Sequence, residues 1–188
     1  MQLLIYLLFY PILWSISILP FPVFYLLSDF VCFITYNIIG YRKKVVRDNI
    51  ALALPHLSEE ERLLIEKKFY KHLCDMFLEM IKTLSISQKE IEKRFTFSNM
   101  EVYRELEKKN KSIALICAHY ASYEWVVSMN YHINHKGYGI YKKLANPYFD
   151  KLVKQMRSKF KAHLITTKET IPTIAENFRN KTLSVYGF

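Results

Sequence analysis

His119 and Glu124 stand five residues apart and directly follow a short apolar run. Histidine titrates near neutral pH, so its imidazole can accept a proton from a hydroxyl group. A carboxylate that accepts a hydrogen bond from one imidazole nitrogen fixes the tautomer and leaves the other nitrogen basic. The two residues are therefore candidates for a dyad that deprotonates a hydroxyl, although a lone histidine at the end of a strand is more often a hydrogen-bonded packing residue.

The segments around this pair decide whether the two side chains can meet. Residues 113–118 form a continuous apolar run, which is typical of a strand buried on both faces. The next segment contains no proline or glycine before Gly137, and its apolar residues favour a helix. Five residues of continuous helix turn through about 500° and leave two side chains about 140° apart. We therefore expect His119 to precede the helix and Glu124 to lie in its first turn, where a central strand leads into a helix and open α/β sheets bind ligands.

The rest of the chain alternates between predicted helices and strands. Ser58 and Glu61, three residues apart, form a capping box that begins a long amphipathic helix. Further strands are predicted after residue 137, over 138–141, 163–165 and 182–188, and they are separated by predicted helices over 148–160 and 170–180. This alternation predicts an α/β fold with a mainly parallel sheet flanked by helices.

The first part of the chain is apolar enough to form a membrane anchor. Within residues 1–39, Asp29 is the only formally charged side chain. Two apolar stretches, 3–19 and 23–39, each approach the roughly 17–25 residues that a helix needs to cross a bilayer. We predict a membrane anchor over 1–41, either one crossing helix with an interfacial segment or a helical hairpin. A buried helical pair in a soluble protein would have the same composition.

Positive charge follows the apolar region and dominates the whole chain. Four basic residues come directly after it: Arg42, Lys43, Lys44 and Arg47. The positive-inside tendency places the second predicted domain, residues 42–188, in the cytoplasm. The chain carries 27 Lys and Arg against 17 Asp and Glu, a net charge of +10, which favours contact with anionic headgroups or an acidic protein partner. No nucleic-acid motif accompanies this charge, so we do not predict nucleic-acid binding.

The cysteines do not indicate metal chemistry. Cys32, Cys74 and Cys117 are widely spaced and match no zinc pattern, so no metal site is predicted. Cys117 lies within the predicted apolar strand, where a free thiol behaves as a small hydrophobic side chain.

Several segments, in order along the chain, resemble the late acyltransferases of lipid A biosynthesis, the lauroyl and myristoyl transferase type, within the lysophospholipid acyltransferase superfamily. They are His119-x4-Glu124 and the segments 40–50, 69–73, 78–80, 141–148 and 157–160. Residues 141–148 are similar to the family's Tyr-Arg-x-x-x-Asn-Pro segment, with Lys142 in place of the arginine. Lys161 stands where the family often has glycine.

The resemblance implies a glycerol-3-phosphate acyltransferase-like fold and direct transfer of an acyl group from an acyl-carrier-protein thioester. The acceptor would be a hydroxyl of a lipid A precursor or a related glycolipid, which is an anionic membrane lipid. The resemblance implies His119 as general base and Glu124 as the group that orients it. Lys142, Asn146 and Arg157 would hold substrate or intermediate, and the fork of Arg157 suits a phosphate. No metal ion or cofactor is required.

The resemblance also implies a location and leaves two other functions open. It places the protein at the bacterial inner membrane, with the catalytic domain on the cytoplasmic face. The same dyad could instead acylate a glycerophospholipid or an aminolipid, although Glu124 and the segment 141–147 favour the lipid A type. A non-catalytic membrane protein could use the basic surface to bind lipids or a partner. The family continues from a Gly-Phe pair like Gly187-Phe188 into an Asp-Gln segment, so we expect the chain to be incomplete at its C-terminus.

Overall fold

The first two helices are the most apolar elements of the protein. A computed structural model describes residues 1–118 and 120–187. Helix α1 spans Gln2–Ile18, and α2 spans Phe21–Phe33 and continues as a π-helical turn, Ile34–Ile39. Together α2 and this turn form 19 helical residues, Phe21–Ile39, with a mean hydropathy of 1.5, which are long and apolar enough to cross a membrane. Within the described residues, α1 is a shorter apolar helix.

The next four helices are more polar. These are α3 (Lys43–Ala53), α4 (Glu59–Lys82), α5 (Gln88–Arg94) and α6 (Met100–Lys108). The longest of them, α4, packs against α1, α2 and α3. The predicted capping box at the start of α4 is confirmed. Ser58 Oγ accepts a hydrogen bond from Glu61 N at 3.2 Å, and Glu61 Oε2 accepts one from Ser58 N at 2.8 Å.

The N-terminal helices pack on the later elements through polar as well as apolar contacts. Lys82 Nζ donates to the carbonyl oxygens of Ser17 and Leu19 at 2.7 and 2.5 Å, which satisfies the end of α1. Ser28 of α2 donates to Asp75 of α4 at 2.6 Å. The predicted anchor, residues 1–41, therefore lies against α4, and its division from a domain over 42–188 stays a prediction.

In the part of the chain that the structure describes, four parallel strands form the sheet. They are β1 (Ile113–Leu115), β2 (Lys136–Tyr141), β3 (His163–Thr166) and β4 (Ser184–Gly187), in the spatial order β1-β4-β2-β3. Parallel neighbours require crossover connections, which are supplied by a 3₁₀ helix (Tyr123–Tyr131), α7 (Pro147–Ser158) and α8 (Thr170–Arg179). The predicted α/β fold with a parallel sheet flanked by helices is confirmed.

The strand before His119 differs from the prediction. It was expected to be a central strand over 113–118, but β1 covers three residues and lies at the edge of the described sheet. In the described residues the ladder between β1 and β4 ends at Leu115 opposite Gly187, so the apolar run leaves the sheet there. Ile116 is 86% exposed and Cys117 is exposed rather than buried. The helix expected after this strand forms as the 3₁₀ helix.

The 3₁₀ helix is anchored in two parts of the hydrophobic core. Trp125 packs in a cluster with Ile86, Ile91 and Phe160, and Met129 packs with Tyr103 and Val185. A third cluster joins the sheet to α8 and contains Tyr138, Ile165 and Tyr186. Because Trp125 and Met129 are both buried, the backbone next to Glu124 is held in place by packing on either side of the helix.

Candidate active site

A mostly apolar cavity of about 160 Å³ lies between the sheet and the 3₁₀ helix. Strand residues including Leu115, Gly139 and Val185 form one wall, and Val127 and Met129 of the 3₁₀ helix form another. The polar side chains that line it include Glu124, Arg157 and Asn130. A site of this kind, apolar with a few convergent polar groups, is typical of a small-molecule or lipid pocket.

Glu124 and Arg157 form a bidentate ion pair at this cavity. Arg157 Nε lies 2.8 Å from Glu124 Oε2, and Arg157 Nη2 lies 2.5 Å from Glu124 Oε1. Glu124 is 9% exposed at the start of the 3₁₀ helix, and Arg157 comes from the last turn of α7. The fork of a guanidinium matches both carboxylate oxygens, which fixes the orientation of the carboxylate. The structure thus brings together two predicted site residues that are 33 positions apart.

A tyrosine next to Glu124 adds a neutral hydroxyl to the cavity. Tyr123 lines the cavity, and burial, reinforced by the negative charge of Glu124, raises the pKa of its phenol above the ordinary value of 10.0. Arg157 opposes this shift. The phenol therefore stays protonated at neutral pH. Tyr123 was not among the predicted site residues, although it lies within the His-x4-Glu motif.

The predicted general base, His119, lies outside the described residues, so its distance from Glu124 stays a prediction. The backbone after this position is not extended. Ala121 has a left-handed conformation with φ 51°, and Ser122 is the N-cap of the 3₁₀ helix. Glu124 has the capacity to bind an imidazole as well as Arg157, because each carboxylate oxygen has two lone pairs.

Lys142 and Asn146 lie away from the cavity. Lys142 is exposed just after β2, and it does not belong to the cavity lining. Asn146 is the N-cap of α7: its Oδ1 accepts from Tyr148 N at 3.0 Å, and its Nδ2 donates to the carbonyl oxygen of Gln2 at 3.3 Å. These contacts give Asn146 a role in the helix start, and a substrate role for either residue stays a prediction.

The end of α4 contacts the segment that carries Glu124 through Glu79 and the C-cap residue Thr83, and neither was predicted as a site residue. Ser122 Oγ donates a hydrogen bond to Glu79 Oε2, and Trp125 Nε1 donates to Thr83 Oγ1 at 3.2 Å. Glu79 and Thr83 are one helical turn apart on α4. Glu79 lies in the segment 78–80, which was noted in the sequence but was not connected to the motif because the contact spans 43 positions.

Comparison with known proteins identifies the family that the chain matches. Residues 1–186 match the family described as bacterial lipid A biosynthesis acyltransferase. The curated lipid A biosynthesis lauroyltransferase of Escherichia coli (strain K12) is 24% identical over 139 residues, which cover 74% of this chain and 45% of that relative. The chain therefore matches less than half the length of this relative.

Proposed function

Because the chain belongs to the bacterial lipid A biosynthesis acyltransferases, we propose that the full protein transfers a fatty acyl group to a hydroxyl of a lipid A precursor or a related glycolipid. The acyl donor is an acyl-carrier-protein thioester. The observation that carries this proposal is the position of Glu124: the carboxylate of the His-x4-Glu motif lines an apolar cavity and is held there by Arg157.

The proposed reaction is a direct acyl transfer with His119 as general base. The imidazole takes the proton of the acceptor hydroxyl while the hydroxyl oxygen attacks the thioester carbonyl carbon. The tetrahedral intermediate collapses, the carbon–sulfur bond breaks, and the leaving thiolate recovers the proton from the imidazolium. Glu124 accepts the hydrogen bond of the other imidazole nitrogen and stabilises the positive charge that forms during the reaction.

Arg157 has two compatible roles in this reaction. Two of the five N–H donors of its guanidinium are engaged by Glu124, and this bidentate contact holds the carboxylate in one orientation. The other donors suit a phosphate or carbonyl oxygen of a bound substrate, as the sequence predicted for Arg157. Lys142 and Asn146 contact the substrate outside the cavity, at the loop between β2 and α7.

The N-terminal helices attach the protein to the bacterial inner membrane, with the catalytic domain on the cytoplasmic face. The length and apolar composition of Phe21–Ile39 support this attachment. The basic residues that follow it and the net charge of +10 support the cytoplasmic orientation and contact with anionic lipid.

Acyl transfer by the full protein in membranes tests this proposal. With an acyl-carrier-protein thioester as donor, we expect acylation of a lipid A precursor in preference to a lysophospholipid. His119→Ala should lower kcat by about 10²–10⁴-fold, the usual contribution of a positioned base. Preferential acylation of the lysophospholipid would assign the alternative acceptor, and unchanged transfer by His119→Ala would contradict the mechanism.

A further inference from the structure

Ser122 directs its hydroxyl away from the helix that it begins. It is the N-cap residue of the 3₁₀ helix, a position where a serine side chain usually accepts a hydrogen bond from its own helix backbone. Among the residues that the structure describes, no such capping bond forms, and Ser122 Oγ instead donates to Glu79 Oε2 on α4. Ser122 lies between His119 and Glu124 in the sequence, so this bond acts on the described part of the motif, residues 120–124, which we call the motif segment.

Glu79 is a buried carboxylate with both oxygens engaged. It is 8% exposed, and its second oxygen, Oε1, accepts a hydrogen bond from the hydroxyl of Tyr25 at 2.8 Å. A buried carboxylate is costly unless its oxygens are satisfied. Within the described chain, two hydroxyl groups on separate elements supply these bonds. Glu79 therefore joins the motif segment to α2, which reaches membrane-spanning length together with the π-helical turn that follows it.

A second contact from α4 reinforces the first. Thr83 lies one turn after Glu79, accepts a hydrogen bond from Trp125 Nε1 at 3.2 Å, and donates one to the Glu79 carbonyl oxygen at 3.1 Å. The contacts at Ser122 and Trp125 lie on either side of Glu124. Between His119 and Ser122, Ala121 has φ 51°, which is unfavourable for a residue with a Cβ and persists where surrounding contacts impose it.

We propose that Glu79 is a positioning residue for the acyl transfer: through Ser122 it holds the motif segment in place, and through Tyr25 it links that segment to α2. The inference rests on the proposed function for its catalytic consequence. It implies that α2 supports catalysis through these two hydrogen bonds, in addition to its proposed role in membrane attachment.

Hydrogen exchange tests the structural link without relying on the reaction. In the full protein, Ser122→Ala and Glu79→Ala should each accelerate amide exchange in residues 120–126 by about tenfold, the effect of losing one charge-assisted hydrogen bond. Ser128→Ala is the matched control, because Ser128 is buried in the same helix but donates to the Trp125 carbonyl oxygen. Exchange at the wild-type rate in Ser122→Ala would overturn the proposal.

Kinetics test the catalytic consequence. Ser122→Ala and Glu79→Ala should each lower kcat by up to about 10²-fold, as a displacement near 1 Å does, with KM changed by less than about threefold. The double variant should be no worse than either single variant, because both remove the same link. Glu79→Gln should recover most of the activity, since an amide can accept from one hydroxyl and donate to the other.

Other outcomes separate this inference from the proposed function. Additive losses in the double variant would show that Glu79 and Ser122 act independently and would overturn the link. If Glu79→Ala does not fold, Tyr25→Phe and Ser122→Ala carry the test, because each removes one hydroxyl. A wild-type protein that transfers no acyl group, but whose exchange responds as expected, would refute the proposed function and leave the link standing.

Discussion

Arg157 engages both oxygens of Glu124, and this contact determines how the carboxylate can act. A single point charge would neutralise Glu124 without fixing its plane, whereas the guanidinium fork does both. The pair lies at the cavity wall, where partial burial strengthens the interaction relative to water. At the scale of the residue, the orientation of the carboxylate therefore depends on the geometry of Arg157 as well as on its charge.

Replacing Arg157 with lysine separates geometry from charge. Arg157→Lys should lower kcat by about 10–10²-fold, because the ammonium group cannot hold both carboxylate oxygens. The matched control is Arg179→Lys, the same change at an exposed arginine in the last turn of α8, which should leave kcat unchanged. A kcat of Arg157→Lys equal to the wild-type value would show that charge alone is sufficient.

At the scale of the element, β2 and the 3₁₀ helix approach each other too closely for a side chain at one point. A Cβ added at Gly137 would lie 1.6 Å from Asn130 Oδ1, so Asn130 occupies the space that a larger residue would need. Asn130 is held there by the hydrogen bond from its Nδ2 to the Val127 carbonyl oxygen at 2.7 Å. A side chain at Gly137 would therefore displace Asn130 from its place in the cavity wall.

Adding one methyl group tests this close approach. Gly137→Ala should destabilise the protein by about 1–3 kcal/mol, because Asn130 must move and lose its hydrogen bond. Gly187→Ala is the control, since its Cβ would make an ordinary contact of 3.7 Å with the Tyr138 carbonyl oxygen. The free energy of unfolding in urea measures both. Equal effects at the two glycines would refute the steric argument.

At the scale of the whole molecule, a carboxylate joins α6 to the loop that leads into β2. Glu107 of α6 accepts hydrogen bonds from Asn134 N at 2.8 Å and from Arg104 Nη1 at 2.9 Å, and it lies 3.3 Å from His135 Nδ1. Burial opposes ionisation, but the bonds from Asn134, Arg104 and His135 outweigh it and lower the pKa of Glu107 to about 2.

This pKa predicts a pH-dependent contribution to stability. A pKa lowered by folding means that the stabilisation is fully present above the unfolded pKa of about 4.3 and is lost as the pH falls to about 2. Glu107→Gln should therefore cost about 1.5–3 kcal/mol at pH 7, and this cost should shrink between pH 4.5 and 2. Urea unfolding across this range measures it. Glu105→Gln, at an exposed position of the same helix, is the control; a pH-independent cost at Glu107 would contradict the prediction.

Helix α2 presents two different faces to its surroundings. Tyr25, Ser28 and Asp29 contact Glu79, Asp75 and Lys71 of α4. Leu26, Phe30 and Phe33 are exposed apolar side chains. Burying this second face in lipid is favourable, so the helix can attach to a membrane while it remains packed on α4.

Two charges on the exposed face test this attachment. Leu26→Asp combined with Phe30→Asp should release the protein from membranes, because it replaces apolar area that lipid would bury with two charges. Leu52→Asp, at an exposed leucine of α3, is the control and should leave attachment unchanged. Sedimentation with vesicles of anionic lipid measures the bound fraction. Undiminished binding of the double variant would exclude α2 as the attachment site.

The sequence alone determined the features that depend on neighbouring residues. The capping box of Ser58 and Glu61, the alternation of strands and helices, and the apolar composition of Phe21–Ile39 are all local, because each arises from hydrogen bonds or periodicity within one element. Glu124 was predicted from its spacing to His119 for the same reason.

Only the tertiary structure decided which distant residues meet. In the folded chain Arg157 contacts Glu124, and Ser122 donates a hydrogen bond to Glu79. Strand β1 lies at the edge of the described sheet, and Lys142 and Asn146 lie outside the cavity lining. The order of the parallel strands and the positions of α4 and α7 depend on packing between apolar faces of elements that are far apart in the sequence. Local propensity carries no information about that packing, and so the contact between Arg157 and Glu124 could be found only in the folded chain.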